Sequence, residues 1–232
     1  MTDLPTPDGL YSETWDDQVD RRGFYLPIFS AYIKHPTERA VTDSLTCGSH
    51  EIDSRVIKAL IPHLPTWCIG ANLVVLPGST WKRLRRAASG IRTSLVGKTP
   101  DMVVADRDRD YRPVAIVEFK GNALVNGGWG YCKFSDTHYS NQAVCYLHPC
   151  WFPDPDISDA AHIWISDYRL GDDPFMGRAL TPAEFKDASE LARAYERQLS
   201  GQSKWRFIHH DELIRALDGT HHGALYRLWR PT

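Results

Sequence analysis

The sequence predicts a mixed α/β fold, and three observations carry that prediction. Two runs rich in Val and Ile, Asp101–Ala105 and Pro113–Lys120, flank a compact charged turn and read as paired strands. Ile52, Val56 and Leu60 recur at helical spacing after Ser49. Thr181-Pro182 with Glu184 has the composition of a helix start, and it leads a helical stretch to Leu199. Helices interleaved with strands call for a mixed sheet covered by helices.

The elements follow in order. The first 45 residues are rich in Pro and Asp, with aromatics at Phe24, Tyr25, Phe29 and Tyr32. They read as an irregular arm or a short helical cap. Ser49 is placed as the N-cap of a helix closed by Pro62. Trp67–Leu76 reads as a strand ended by Pro77-Gly78, and Trp81–Ala88 as a short basic helix. The two Val- and Ile-rich strands come next, joined by Asp106–Arg112. Asn126–Gly130 reads as a flexible loop in which Trp129 is placed to stack on a base or sugar. Ser135–Leu147 has helical character stopped by Pro149, His162–Ile165 is a strand, and Asp211 caps a last helix through Leu217. The predicted division is an arm or cap over 1–45, a core over 46–170 and a helical extension packed on the core over 171–232.

Composition narrows the function classes. The chain has 232 residues, 42% of them hydrophobic and 24% charged, enough for a sizeable core. No apolar run is long enough to span a bilayer, and the N-terminus lacks a basic region followed by an apolar one. Five cysteines, an odd number, fit free thiols in the cytoplasm better than a disulfide framework. The net charge is only −2, but it is unevenly spread. Between Ser54 and Pro100 there is no Asp or Glu, while Arg55, Lys58, Lys82, Arg83, Arg85, Arg86, Arg92 and Lys98 fall there. That stretch suits an anion, and phosphate is the natural one.

The chemistry gathers on the paired strands. If Asp106 faces Pro113, antiparallel pairing sets Asp101 opposite Glu118, on one face and roughly 5 Å apart at Cβ. Strand alternation adds Lys120 to that face. Two opposed carboxylates cost stability unless a cation lies between them. Mg²⁺ suits such a site, since it takes one or two carboxylates together with waters and phosphate oxygens. A lysine beside it is placed to serve an attacking water.

Thr99-Pro100-Asp101 followed by Val117-Glu118-Phe119-Lys120 resembles the PD-(D/E)XK nuclease superfamily. The resemblance covers roughly residues 49 to 147. It implies a restriction-endonuclease-like core in which Asp101, Glu118 and the Phe119 backbone carbonyl bind Mg²⁺, with Mn²⁺ as a substitute, and Lys120 serves the water. An acid on the preceding helix often joins the metal in this family, which makes Glu51 the candidate, Asp53 the fallback and His50 a competitor. Gln142 and Tyr146, four apart, look like the Gln-x-x-x-Tyr motif of the RecB-like branch and imply contact with the DNA strand. Lys82, Arg83, Arg85, Arg86, Arg92 and Lys98 are then expected on DNA phosphates. The implied activity is a DNA nuclease, more an endonuclease than an exonuclease, acting alone, as a homodimer or within a larger nuclease complex.

Plainer readings stand beside these. Asp101, Glu118 and Lys120 would also serve as an ion-pair ladder, and Glu51 suits the first turn of any helix. A catalytically silent nucleic-acid-binding module of the same fold is the rival function. Cys47, Cys132, Cys145, His148 and Cys150 invite zinc or an iron–sulfur cluster, but the closely grouped cysteines of the RecB-like cluster are missing. His209-His210 and His221-His222 read as surface residues.

Overall fold

The computed structural model describes residues 38–93, 99–120, 127–132, 137–141, 146–147, 152–167 and 204–229. Helices α1 (Glu38–Leu45) and α2 (His50–Leu60) come first. Strand β1 (Leu73–Pro77), helix α3 (Gly78–Ser89) and strands β2 (Met102–Asp106) and β3 (Arg112–Lys120) follow. Next are β4 (Gly127–Cys132), β5 (Thr137–Asn141), β6 (Ala161–Ser166) and β7 (Trp205–His209), then helices α4 (His210–Ala216) and α5 (His221–Trp229). No helix among the described residues is long and apolar enough to cross a membrane.

Five strands form one mixed sheet in the order β1-β2-β3-β6-β7. The first three are antiparallel neighbours; β6 and β7 run parallel to β3. Strand alternation sends two sets of side chains to opposite faces. One face carries Val75, Val104, Val117, Phe119, Ile163 and Ile208, covered by Ile52, Val56 and Leu60 of α2 and by α1, α4 and α5. The other carries Val74, Val103, Ile116 and Trp164, packed by Trp81 of α3, Tyr146, Phe152 and Trp205.

The β2–β3 register is one residue off the expected one at its turn and correct at its open end. Asp106 faces Arg112 rather than Pro113, and Ala105 faces Pro113. A bulge between Val104 and Ala105 then sets Val104 against Ala115 and Met102 against Val117. Proline cannot donate to a ladder, so a bulge is where a central strand tolerates Pro113. Continuing the shifted register brings Asp101 level with Glu118. The turn itself uses left-handed residues at Asp110 and Tyr111 (φ 54° and 56°), and α3 grips both. Arg85 donates to the Asp110 carbonyl and the Trp81 indole to that of Tyr111.

Several expected elements differ. Thr137–Asn141, expected as helix, is a strand paired with Gly127–Cys132, which includes residues expected as a loop. Pairing satisfies the backbone of both segments, which overrides weak helical periodicity. Trp67 lies in a short 3-10 turn, and β1 starts only at Leu73. The C-terminal extension is not purely helical: β7 extends the sheet, and Ile208 enters the core. The core therefore runs past residue 170 and also takes in α1, whose Val41 and Leu45 are buried. Helix α4 starts two residues earlier than expected, with His209 rather than Asp211 as its N-cap, and α5 follows it. His210 and His222, expected at the surface, are buried. The arm up to residue 37 and the helix expected over Thr181–Leu199 lie outside the described residues.

Candidate active site

The open end of the β2–β3 pair gathers the expected triad. Asp101 stands just before β2, and its Oδ2 accepts the Phe119 backbone N–H at 2.9 Å. That bond pins the Asp101 side chain against β3 and places it beside Glu118. Glu118 and Lys120 alternate onto one face of β3, with Lys120 Nζ 3.2 Å from Glu118 Oε2. Glu118 is fully buried, and Lys120 is nearly so. Register with β6 sets Glu118 beside Trp164, and the Lys120 ammonium sits 5.7 Å from the Trp164 ring centre. A cation over an indole face gains electrostatically, so Trp164 holds the lysine where water cannot.

The charge balance is unusual for a buried cluster. Burial pushes the Glu118 carboxyl well above its usual range, and the adjacent Asp101 charge pushes it further. Lys120 and the Tyr146 hydroxyl pull in the opposite direction, while a hydrogen bond with Asp101 again raises it. The upward influences win although a lysine touches the carboxylate. Two acids and one ammonium in a dry setting leave surplus negative charge once both acids ionise. A divalent cation between Asp101 and Glu118 would reverse that penalty, so the donor set fits Mg²⁺ or Mn²⁺. No group of three or more His, Cys, Asp or Glu side chains placed to hold a metal is found among the described residues. Two carboxylates and a backbone carbonyl suffice for an ion that keeps several waters.

The loop carrying Asp101 is held from three sides. Tyr146, itself buried, donates its hydroxyl to the Thr99 carbonyl at 3.0 Å. Lys82 Nζ donates to Thr99 Oγ1 at 3.2 Å, and burial lowers the pKa of this lysine. Gly78 opens α3 so close to the loop that a Cβ there would lie 2.0 Å from the Pro100 carbonyl oxygen. Only glycine permits this approach.

The basic residues of α3 divide sharply. Lys82, Arg83, Arg86 and Arg92 line a groove of about 560 Å³ together with Ala87 and Thr93. Arg83, Arg86 and Arg92 are exposed and make no described ion pair or hydrogen bond. Arg85, expected on DNA, turns inward instead. It is 3% exposed and binds Asp154 at 2.9 Å together with Asp156 and the Asp110 carbonyl. Its helical phase decides this, since it lies four residues after the buried Trp81.

No protein-family model, curated protein or solved structure matches this chain. The placement of each expected residue therefore rests on the geometry itself. Glu51 does not join the cluster. Its side chain is 65% exposed and pairs with Arg55 at 3.0 Å. Helix α2 covers the sheet face opposite Glu118 and Lys120, which also removes His50 and Asp53. Asp53 instead accepts the Val75 N–H of edge strand β1 at 3.3 Å. Tyr146 sits at the site but is buried against Phe152 and Trp205, so it holds the Asp101 loop and has no surface for DNA. Gln142, Lys98, Cys145, His148 and Cys150 lie outside the described residues, as do the side chains of Trp129 and Cys132. Cys47 and Cys68 are free thiols.

Sequence reading missed Gly78, Trp164, His210 and Tyr226. Gly78 carried a signal, a glycine after a strand, but it was read as a turn. The other three are brought to the site by strand register and C-terminal packing, which no local pattern announces.

Proposed function

We propose that this protein is a Mg²⁺-dependent nuclease that hydrolyses DNA phosphodiester bonds. One observation carries the reading: two adjacent carboxylates, Asp101 and buried Glu118, with Lys120 Nζ 3.2 Å from Glu118. A structural ion pair needs one acid for one lysine, and the second acid adds repulsion beside its bond to the Phe119 N–H. A metal gives both acids a purpose.

Asp101, Glu118 and the Phe119 carbonyl are the ligands we assign. The bound ion would polarise the scissile phosphate and acidify a water. The Lys120 ammonium would orient that water and offset charge developing on the phosphate. Tyr146 and Trp164 are buried beside the cluster and hold the acid loop and the lysine in place. Beside them, the Lys82, Arg83, Arg86 and Arg92 groove offers a phosphate backbone cations with no acid among its described lining residues. Lys82 joins the two areas, since it lines the groove and bonds Thr99, two residues before Asp101. DNA is chosen over RNA on the resemblance of the Asp101 and Glu118-Phe119-Lys120 motifs.

The test is cleavage of supercoiled and linear DNA with Mg²⁺, with Mn²⁺ and with EDTA, beside Asp101→Ala. Metal-dependent cutting that disappears in the variant is expected. Equal inertness of both proteins, with DNA binding retained, would leave a binding module.

A further inference from the structure

We propose that His210 and Tyr226 are positioning residues for Lys120, holding the backbone of the catalytic strand through the Lys120 carbonyl. The inference rests on the nuclease reading of Lys120. It concerns residues far outside the motif that suggested that reading.

His210 is the first residue of α4 and is fully buried. Its Nε2 lies 3.0 Å from the Lys120 carbonyl oxygen. A carbonyl only accepts, so Nε2 carries the hydrogen and donates. In the neutral ring Nδ1 is then an acceptor, and the Tyr226 hydroxyl lies 2.6 Å from it. Tyr226 is well suited to donate. Burial, then the Asp167 and Asp211 carboxylates, hold its hydroxyl protonated far above the usual phenol range. Edge contacts with the Tyr226 and Trp229 rings, at 5.6 and 5.2 Å, fix the imidazole plane. The result is a directed chain: Tyr226 O–H to Nδ1, then Nε2–H to the Lys120 carbonyl.

Lys120 is the last residue of β3. His210 holds the Lys120 carbonyl, and through it the backbone from which the Lys120 side chain departs. That placement decides whether Nζ stays between Glu118 and the Trp164 ring. His210 itself has no access to substrate, so it acts through the lysine alone. An ordinary core histidine would bond any nearby carbonyl; this one, ninety residues away in sequence, bonds the carbonyl of the lysine in the cluster.

Steady-state cleavage with Mg²⁺ tests the clamp, with rates taken below each variant's unfolding midpoint. Tyr226→Phe deletes one hydroxyl from a ring that keeps its packing. It should lower kcat about tenfold and leave KM unchanged, because lysine geometry and not substrate binding is disturbed. His210→Leu should fall further, and His210→Gln, which can both donate and accept, should recover most of the loss. Wild-type kcat in Tyr226→Phe and His210→Leu would overturn the clamp, as would equal losses in His210→Gln and His210→Leu. A wild-type protein inert on plasmid and linear DNA would overturn the nuclease reading instead. The ¹⁵N signals of His210 would then judge the clamp by themselves. An Nε2–H tautomer perturbed by Tyr226→Phe supports it, and an Nδ1–H tautomer overturns it.

Discussion

Two buried charge clusters lie on the same side of the sheet, and they differ in how their charge is matched. Around Arg85, the Asp154 carboxylate receives two guanidinium N–H groups and the Asp156 amide, and Asp156 pairs with Arg85 and Arg112. Every charge there faces an opposite one. Around Glu118, two acids meet one lysine, and the buried carboxyl resists ionisation. The first arrangement welds α3 to the segment before β6. The second holds electrostatic energy that a cation would release. On the proposed reading, the contrast is what a bound cation would remove.

Substitutions separate the two clusters. Asp101→Ala, Glu118→Ala or Lys120→Ala should each reduce metal-dependent cleavage on the order of 10³-fold. Circular dichroism should show the fold retained. Loss of cleavage in Arg85→Ala of the same size, with unchanged stability, would break the contrast. That variant should instead destabilise the protein by about 3–5 kcal/mol in denaturant titration, because it leaves Asp154 buried and unpaired.

Glu118→Gln sharpens the contrast through pH. Burial and the Asp101 charge raise the native carboxyl's pKa, so the stability linked to it is fully present below the unfolded value of 4.5 and is lost as pH rises through the higher folded value. Metal-free wild type should therefore lose stability from about pH 4.5 upward more steeply than Glu118→Gln. At neutral pH in EDTA the variant should melt a few degrees higher, on the order of 1 kcal/mol. It should also gain nothing from Mg²⁺. A wild type less stable than the variant in EDTA and more stable in Mg²⁺ would identify the surplus charge as a metal site.

Smaller effects are expected at the surface. Arg83→Ala, Arg86→Ala and Arg92→Ala should change stability by less than about 0.5 kcal/mol. Each should weaken DNA binding and lower the salt slope by about 0.9 for every phosphate left without its cation. Arg85→Ala should leave that slope unaltered. Glu51→Ala should cost about 0.3–0.5 kcal/mol, the worth of an exposed i,i+4 pair, and leave cleavage unchanged.

What the sequence by itself determined was local. The alternation of β3 was enough to put Glu118 and Lys120 on one face, because period-two geometry is set by the backbone, while Asp101 comes level with Glu118 only through the bulge between Val104 and Ala105. The acid-free stretch announced its charge in the same direct way. Everything that depended on which face a helix covers had to wait for the tertiary structure. Glu51 was excluded because α2 packs on the far side of the sheet, and Arg85 because its phase on α3 turns it inward toward Asp154. The β4–β5 pairing, the place of β7 in the sheet and the His210–Tyr226 contact with Lys120 were likewise decided by packing. These join residues distant in the chain, and their free energy comes from burial and hydrogen bonds that exist only once the segments have met.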